Sequence, residues 1–115
     1  MNIARLFDDT IPKALLAHPK EARAVDRVFD LAVHGVGTWR LDCRASVPSC
    51  ERQPLDRAVS DVCIGCSAND FETLIADPSN NAMKLYFSGR LVIDGDIESA
   101  LKLAKVFALV EDGLA

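Results

Sequence analysis

Met83-Lys84-Leu85-Tyr86-Phe87-Ser88-Gly89-Arg90-Leu91-Val92-Ile93-Asp94-Gly95-Asp96 is the run on which the fold turns. Met83, Tyr86 and Phe87 recur at three- and four-residue steps, which predicts a helix begun near Asn80 or Asn81. Gly89 stands where a helix C-terminal glycine belongs. Leu91-Val92-Ile93 then reads as a short strand, and Asp94-Gly95 as a turn. Asp96 can cap a further helix running to about Val110.

That last helix has few polar positions: Glu98, Ser99, Lys102 and Lys105. Ile97, Leu101, Leu103, Ala104, Val106, Phe107, Leu109 and Val110 are apolar. A helix packed on one face needs an apolar stripe only about 100° wide, and this one exceeds it. A deeply buried helix or a dimer surface accounts for the excess. So does a helix that lines a ligand cavity.

Upstream of this run, Ser67 and Asp70 stand in a capping-box arrangement before Phe71, Leu74 and Ile75. Asp77-Pro78 ends that helix. A strand is expected from about Arg57 to Gly65, with Val62 and Ile64 on one face. The clearest strand lies earlier: Trp39, Leu41 and Cys43 alternate with Thr38, Arg40, Asp42 and Arg44, apolar on one face and charged on the other. His34-Gly35-Val36-Gly37 before it looks like a hairpin turn. Between these strands, Ala45 to Asp56 is loop-like, because Pro48 and Pro54 bar a central strand.

Towards the N-terminus, Ile3 to about His18 has helical spacing, and Pro12 either kinks that helix or begins a second one with Thr10 as cap. Ala22, Val25, Val28, Phe29, Ala32 and Val33 fit a helical stripe. Phe29, Leu31 and Val33 equally fit an alternating strand, and periodicity leaves both open.

The 115 residues amount to one ordinary domain, taken here as residues 1–115. Half are hydrophobic, and the formal net charge is −4 with both signs scattered. Nucleic-acid binders carry a basic footprint, which is missing. No apolar stretch approaches the roughly 20 residues that span a bilayer. Arg5, Asp8, Asp9 and Lys13 interrupt any signal-peptide core, and Gly113-Leu114-Ala115 does not match a peroxisomal address. The expectation is a cytoplasmic protein, with Cys43, Cys50, Cys63 and Cys66 as free thiols. Cys63-Ile64-Gly65-Cys66 forms a CxxC, but a second such pair at zinc-finger spacing is missing. Residues three apart on a strand also point to opposite faces. His18 and His34 sit in turns with no nucleophile in view. The sequence therefore offers no catalytic residue and asks for no metal or cofactor.

Asp61-Val62-Cys63-Ile64, Ser67-Ala68-Asn69-Asp70-Phe71, Phe87-Ser88-Gly89-Arg90 and Gly95-Asp96 stand in an order that resembles the sterol carrier protein-2 family. Gly37-Thr38-Trp39-Arg40-Leu41-Asp42 resembles its tryptophan-bearing strand, and Leu6 to Pro19 its first helical segment. The resemblance implies an α+β fold: a twisted, mainly antiparallel five-stranded sheet with helices packed on one face around an apolar tunnel. It assigns Val28 to His34 to the first strand. It draws a fifth strand from Ser46 to Arg52, which Pro48 confines to an edge.

The implied function is non-catalytic binding and transfer of fatty acid, fatty acyl-coenzyme A, sterol or another isoprenoid lipid. Transient membrane contact is compatible with it. On this reading the cavity wall comprises Trp39, Leu41 and Cys43 from the sheet and Phe71, Leu74, Met83 and Phe87 from the middle helices. Leu101, Leu103, Phe107 and Val110 complete it from the last helix. Each also suits an ordinary core. Two other readings stay open: an accessory domain with a filled core, as in quinone biosynthesis, and a cysteine-based metal-binding regulator.

Overall fold

The computed structural model describes residues 2–110. The chain starts in helix: α1 (Ile3–Arg5), a π-helical turn (Leu6–Thr10) and α2 (Ile11–Ala17). Pro12 does not break this run and stands in the first turn of α2, while Thr10 before it keeps helical dihedrals and makes no side-chain cap. Instead the Ile11 N–H reaches back five residues to the Leu6 carbonyl. The wider turn makes room for a proline ring that would otherwise collide with the carbonyl four residues before it. His18, constrained by the following proline, leaves the helical region and separates α2 from α3 (Pro19–Val25).

The ambiguous stretch divides in two. Ala22 and Val25 are buried from α3, and Asp26, in the left-handed region at φ 54°, turns the chain into strand β1 (Val28–His34). β2 (Gly37–Asp42) and β3 (Ser49–Arg52) follow, then β4 (Val62–Ser67), α4 (Ala68–Ala76) and α5 (Pro78–Phe87). β5 (Val92–Gly95), α6 (Ile97–Leu101) and α7 (Leu103–Phe107) complete the described chain.

The sheet has the order β3-β2-β1-β4-β5. Only β1 and β4 run parallel, and the other three pairings are antiparallel. Phe29 faces Leu41 and Leu31 faces Trp39 across the β1–β2 hairpin. Phe29, Leu31, Val33, Trp39, Leu41, Cys43, Val62, Ile64 and Cys66 are all buried on the helix-covered side. β3 is indeed an edge strand, with Pro48 just outside it.

The β3-to-β4 connection crosses the opposite face. Arg40 donates to the Pro54 carbonyl, and the Asp56 N–H donates to the fully buried Asp30 carboxylate at 2.8 Å. Arg40 pairs with the same carboxylate at 3.1 Å, so the charge is satisfied where it is buried.

Four boundaries differ from the sequence reading. β4 starts at Val62, not Arg57, because Asp56 to Ser60 forms a turn closed by Val59 and Ser60 N–H bonds to the Asp56 carbonyl. α5 starts at Pro78, where Asp77 caps it by accepting from Asn80; proline is pre-set for the first helical position. Asp94-Gly95 is not a turn but the end of β5, with Gly95 opposite Val62. The expected long last helix is two short ones. The Lys102 and Lys105 N–H groups bond three residues back, to Ser99 and Lys102, which tightens the backbone at the joint.

Candidate functional site

Two apolar regions lie under the helices. The first is solid. Phe7 from the π-helical turn packs on Trp39 with ring centroids 5.3 Å apart and meets Phe71 edge-on at 5.7 Å. The second, beside β5, is a hollow. Ile64, Leu91 and Ile93 form its floor, and Leu74, Pro78, Ala82 and Met83 form one wall. Ile97, Ala100, Leu101, Leu103, Ala104 and Phe107 form the other. Every side chain around it is apolar. Ala100 and Ala104, four apart on the last helical stretch, leave space where larger side chains would close it.

The Phe87-Ser88-Gly89-Arg90 run builds this floor. Gly89 has φ +77°, its N–H bonds the Tyr86 carbonyl, and the Arg90 and Leu91 N–H groups both bond the Leu85 carbonyl. This is a Schellman stop. It ends α5 and drops Leu91 into the interior, where it is buried. The Arg90 guanidinium pairs with Asp70 at the start of α4, where Ser67 caps by accepting the Asp70 N–H. On the far side, Asp96 caps α6 and accepts from the Ser99 hydroxyl, which takes a 2.8 Å hydrogen bond from Arg27. The Ser99 contact, followed by backbone N–H groups, holds the Asp96 carboxyl below its ordinary range.

The hollow measures about 40 Å³. One water occupies roughly 30 Å³ of liquid, and pockets for small molecules run to roughly 300–1,000 Å³. A lipid would therefore have to part the walls. The elements that would move are weakly held: α5 buries only Leu85, and α6 only Ser99. Few buried contacts mean low local stability.

Of the wall residues read from sequence, the structure brings Leu74, Met83, Leu101, Leu103 and Phe107 together around the hollow. Trp39, Leu41, Cys43 and Phe71 are instead fully buried away from it. The Trp39 ring is taken up by Phe7 below and by Arg52, whose guanidinium lies 4.7 Å from its centroid. Phe87, the last residue of α5, points outward and rests on Tyr86. Val110 lines a separate polar cleft with Asp9, Lys13 and His18. Ile64, Leu91, Ile93, Pro78, Ala82, Ile97, Ala100 and Ala104 line the hollow without having been singled out. The alternation that placed Ile64 on the core face was the available signal for the floor.

The cysteines are free thiols. Burial pushes Cys43, Cys50 and Cys66 up to about 12. Among the described residues, no three His, Cys, Asp or Glu side chains gather as a metal-binding group. No helix among them is long and apolar enough to cross a membrane.

The model of the SCP-2 sterol transfer family matches residues 9–108, almost the full described length. The chain belongs to this family. Domains of the family are in general non-catalytic lipid carriers. The fold agrees with solved relatives. Apo sterol carrier protein 2 from Yarrowia lipolytica superposes with a TM-score of 0.69 at 18% identity, covering 94% of this chain and 91% of that one. A protein described as the UbiJ-SCP2 ubiquinone synthesis protein gives 0.61 at 20%, covering 95% and 92%. Palmitated SCP2L2 from Aedes aegypti gives 0.56 at 23%, covering 93% and 95%. A search of curated proteins returns no match. At these identities the structural likeness speaks for the SCP-2 fold alone, and the hollow lies between the sheet edge and the C-terminal helices of that fold.

Proposed function

We propose that this domain binds a hydrophobic ligand in the β5 hollow and transfers it without altering it. The ligand class is fatty acid, fatty acyl-coenzyme A, sterol or another isoprenoid lipid. One observation carries the reading: a hollow with an entirely apolar lining, walled in part by α5 and α6, each of which buries a single residue. Burying a methylene is worth about 0.8 kcal/mol, so a 16-carbon chain gains roughly 12 kcal/mol gross. Association costs about 4–15 kcal/mol, and parting the walls adds to that. The expected affinity is micromolar, graded with chain length. Head-group selectivity is weak, since the lining offers no polar partner. The lining also holds no nucleophile, acid or base, so the reading includes no chemical step.

The small resting volume favours one second reading, an accessory domain whose core is filled. Native mass spectrometry of the purified protein, followed by titration with a fluorescent fatty acid, separates the two. A co-purified lipid, or saturable binding reversed by palmitate, supports the carrier. An apo mass without any fatty-acid binding supports the filled core.

A further inference from the structure

Every other described helix buries at least one apolar side chain, whereas the one buried residue of α6 is Ser99, only 1% exposed. The apolar residues of α6, Ile97, Ala100 and Leu101, border the hollow, where there is little to pack against. What fixes this wall is directional. The Ser99 hydroxyl donates to Asp96 at 2.9 Å and accepts from the Arg27 Nε–H at 2.8 Å.

Arg27 is a firm post. It lies 72 residues from Ser99 in the chain, between α3 and β1. Its guanidinium also donates to the Asp26 carbonyl at 2.8 Å, and its own carbonyl accepts the Cys43 N–H. The next N–H, of Val28, bonds the Asp61 carboxylate. The post therefore belongs to the sheet. α6 itself has a joint at each end. Gly95, just before its cap, has φ +121°, and the backbone tightens at Lys102 before α7. Beyond that joint α7 is anchored by Leu103, Val106 and Phe107.

We infer that α6 is the gate of the hollow and that the Arg27–Ser99 hydrogen bond is its latch. Swinging α6 outward gives up this bond and little apolar packing, and water can take both partners in the open state. A bound lipid, larger than the resting hollow, keeps α6 displaced. The latch therefore opposes binding. Only the unlatched fraction accepts ligand, and the apparent dissociation constant is raised accordingly. Arg27 and Ser99 are positioning residues, since neither lines the hollow. For its ligand the gate rests on the carrier reading, while its motion can be read without one.

Ser99→Ala and Arg27→Met each remove the latch. A hydrogen bond to a charged group is worth about tenfold or more in an equilibrium. Titration with cis-parinaric acid, a fluorescent fatty acid, is expected to show each variant binding about tenfold tighter than the parent, with the gain in the association rate. Mere structural damage would weaken binding instead. The double variant R27M/S99A is expected to bind no tighter than either single one, because there is one bond to lose. In the ligand-free proteins, hydrogen exchange is expected to speed up about tenfold at the Ala100 and Lys102 amides, which bond the Asp96 and Ser99 carbonyls, and not in α7. Unchanged or weaker binding in both single variants overturns the latch and leaves the carrier standing. Exchange that rises equally in α7 overturns a gate confined to α6. A parent that takes up no cis-parinaric acid sinks the carrier reading, and exchange in α6 then decides the latch by itself.

Discussion

The indole N–H of Trp39 donates to the Asp8 carboxylate at 2.8 Å, joining the centre of the sheet to the π-helical turn. Trp39 is fully buried, so its N–H has no access to water. Arg52 closes the arrangement, bonding Asp8 at 2.8 Å while lying over the indole. The π-helical turn thus does more than accommodate Pro12, since it carries both Phe7 and Asp8, which pack on and bond to the same tryptophan.

Asp8→Ala strands a buried donor, which costs about 1–3 kcal/mol. The Arg52 and Trp39 hydrogen bonds favour the charged carboxylate and hold its pKa below the ordinary 3.8. Its stabilisation is therefore complete above the unfolded-state value and disappears as pH falls through the folded one. Urea unfolding at pH 7 should show the cost. The gap in Tm between parent and Asp8→Asn should narrow as pH drops from about 6 to about 3. A gap independent of pH would contradict this account of Asp8.

Gly95→Ala should be among the most damaging single-methyl additions. Gly95 has φ +121°, and a Cβ there would lie 2.6 Å from the Asp61 carbonyl oxygen. Strain and collision act together on the β4–β5 pairing that supports the floor of the hollow. A loss of about 2–4 kcal/mol is expected from the shift in the denaturant midpoint. A loss below about 1 kcal/mol would mean that the strand end shifts freely.

Leu101→Trp should weaken fatty-acid binding at least tenfold and leave stability within about 1 kcal/mol, since the residue is half exposed at the mouth. The indole fills space that a ligand needs. A folded variant that binds as tightly as the parent would move the entry elsewhere.

The thiols give a reading of the fold that is independent of ligand. Cys43, Cys50 and Cys66 are buried, with pKa values pushed up to about 12. Cys63 is raised too, by burial first and then by Asp30, but it keeps some exposure where the other three are buried. A thiol reagent at pH 8 should label at most Cys63 quickly in the native protein and all four in urea. Intact mass spectrometry counts the labels. Rapid labelling of Cys43 or Cys50 would show that the sheet's packed side opens.

Local patterning carried most of the fold. The alternation at Trp39, Leu41 and Cys43, the cap at Ser67, the stop at Gly89 and the cap at Asp96 each correspond to an observed element, because these signals depend on neighbours within one turn or one strand. The first strand was different. Its residues fit two periods, and pairing with β2 and β4 settled it.

The hollow was legible only in part. Being apolar and facing inward is common to Trp39 and to Leu103, yet one is clamped between Phe7 and Arg52 while the other borders open space. Alternation reports which face a side chain takes, not what waits on that side. Phe87 shows the same limit from outside, since helical spacing placed it with Met83 while no element among the described residues lies over it.

Residue order along the chain was enough to mark most of the elements, the caps at Ser67 and Asp96 and the family, because hydrogen-bonding and periodicity act over short distances. Where the interior is solid and where it is hollow depended on helices far apart in sequence settling beside β5. Void space is a property of several surfaces at once, and it has no signature in any one of them.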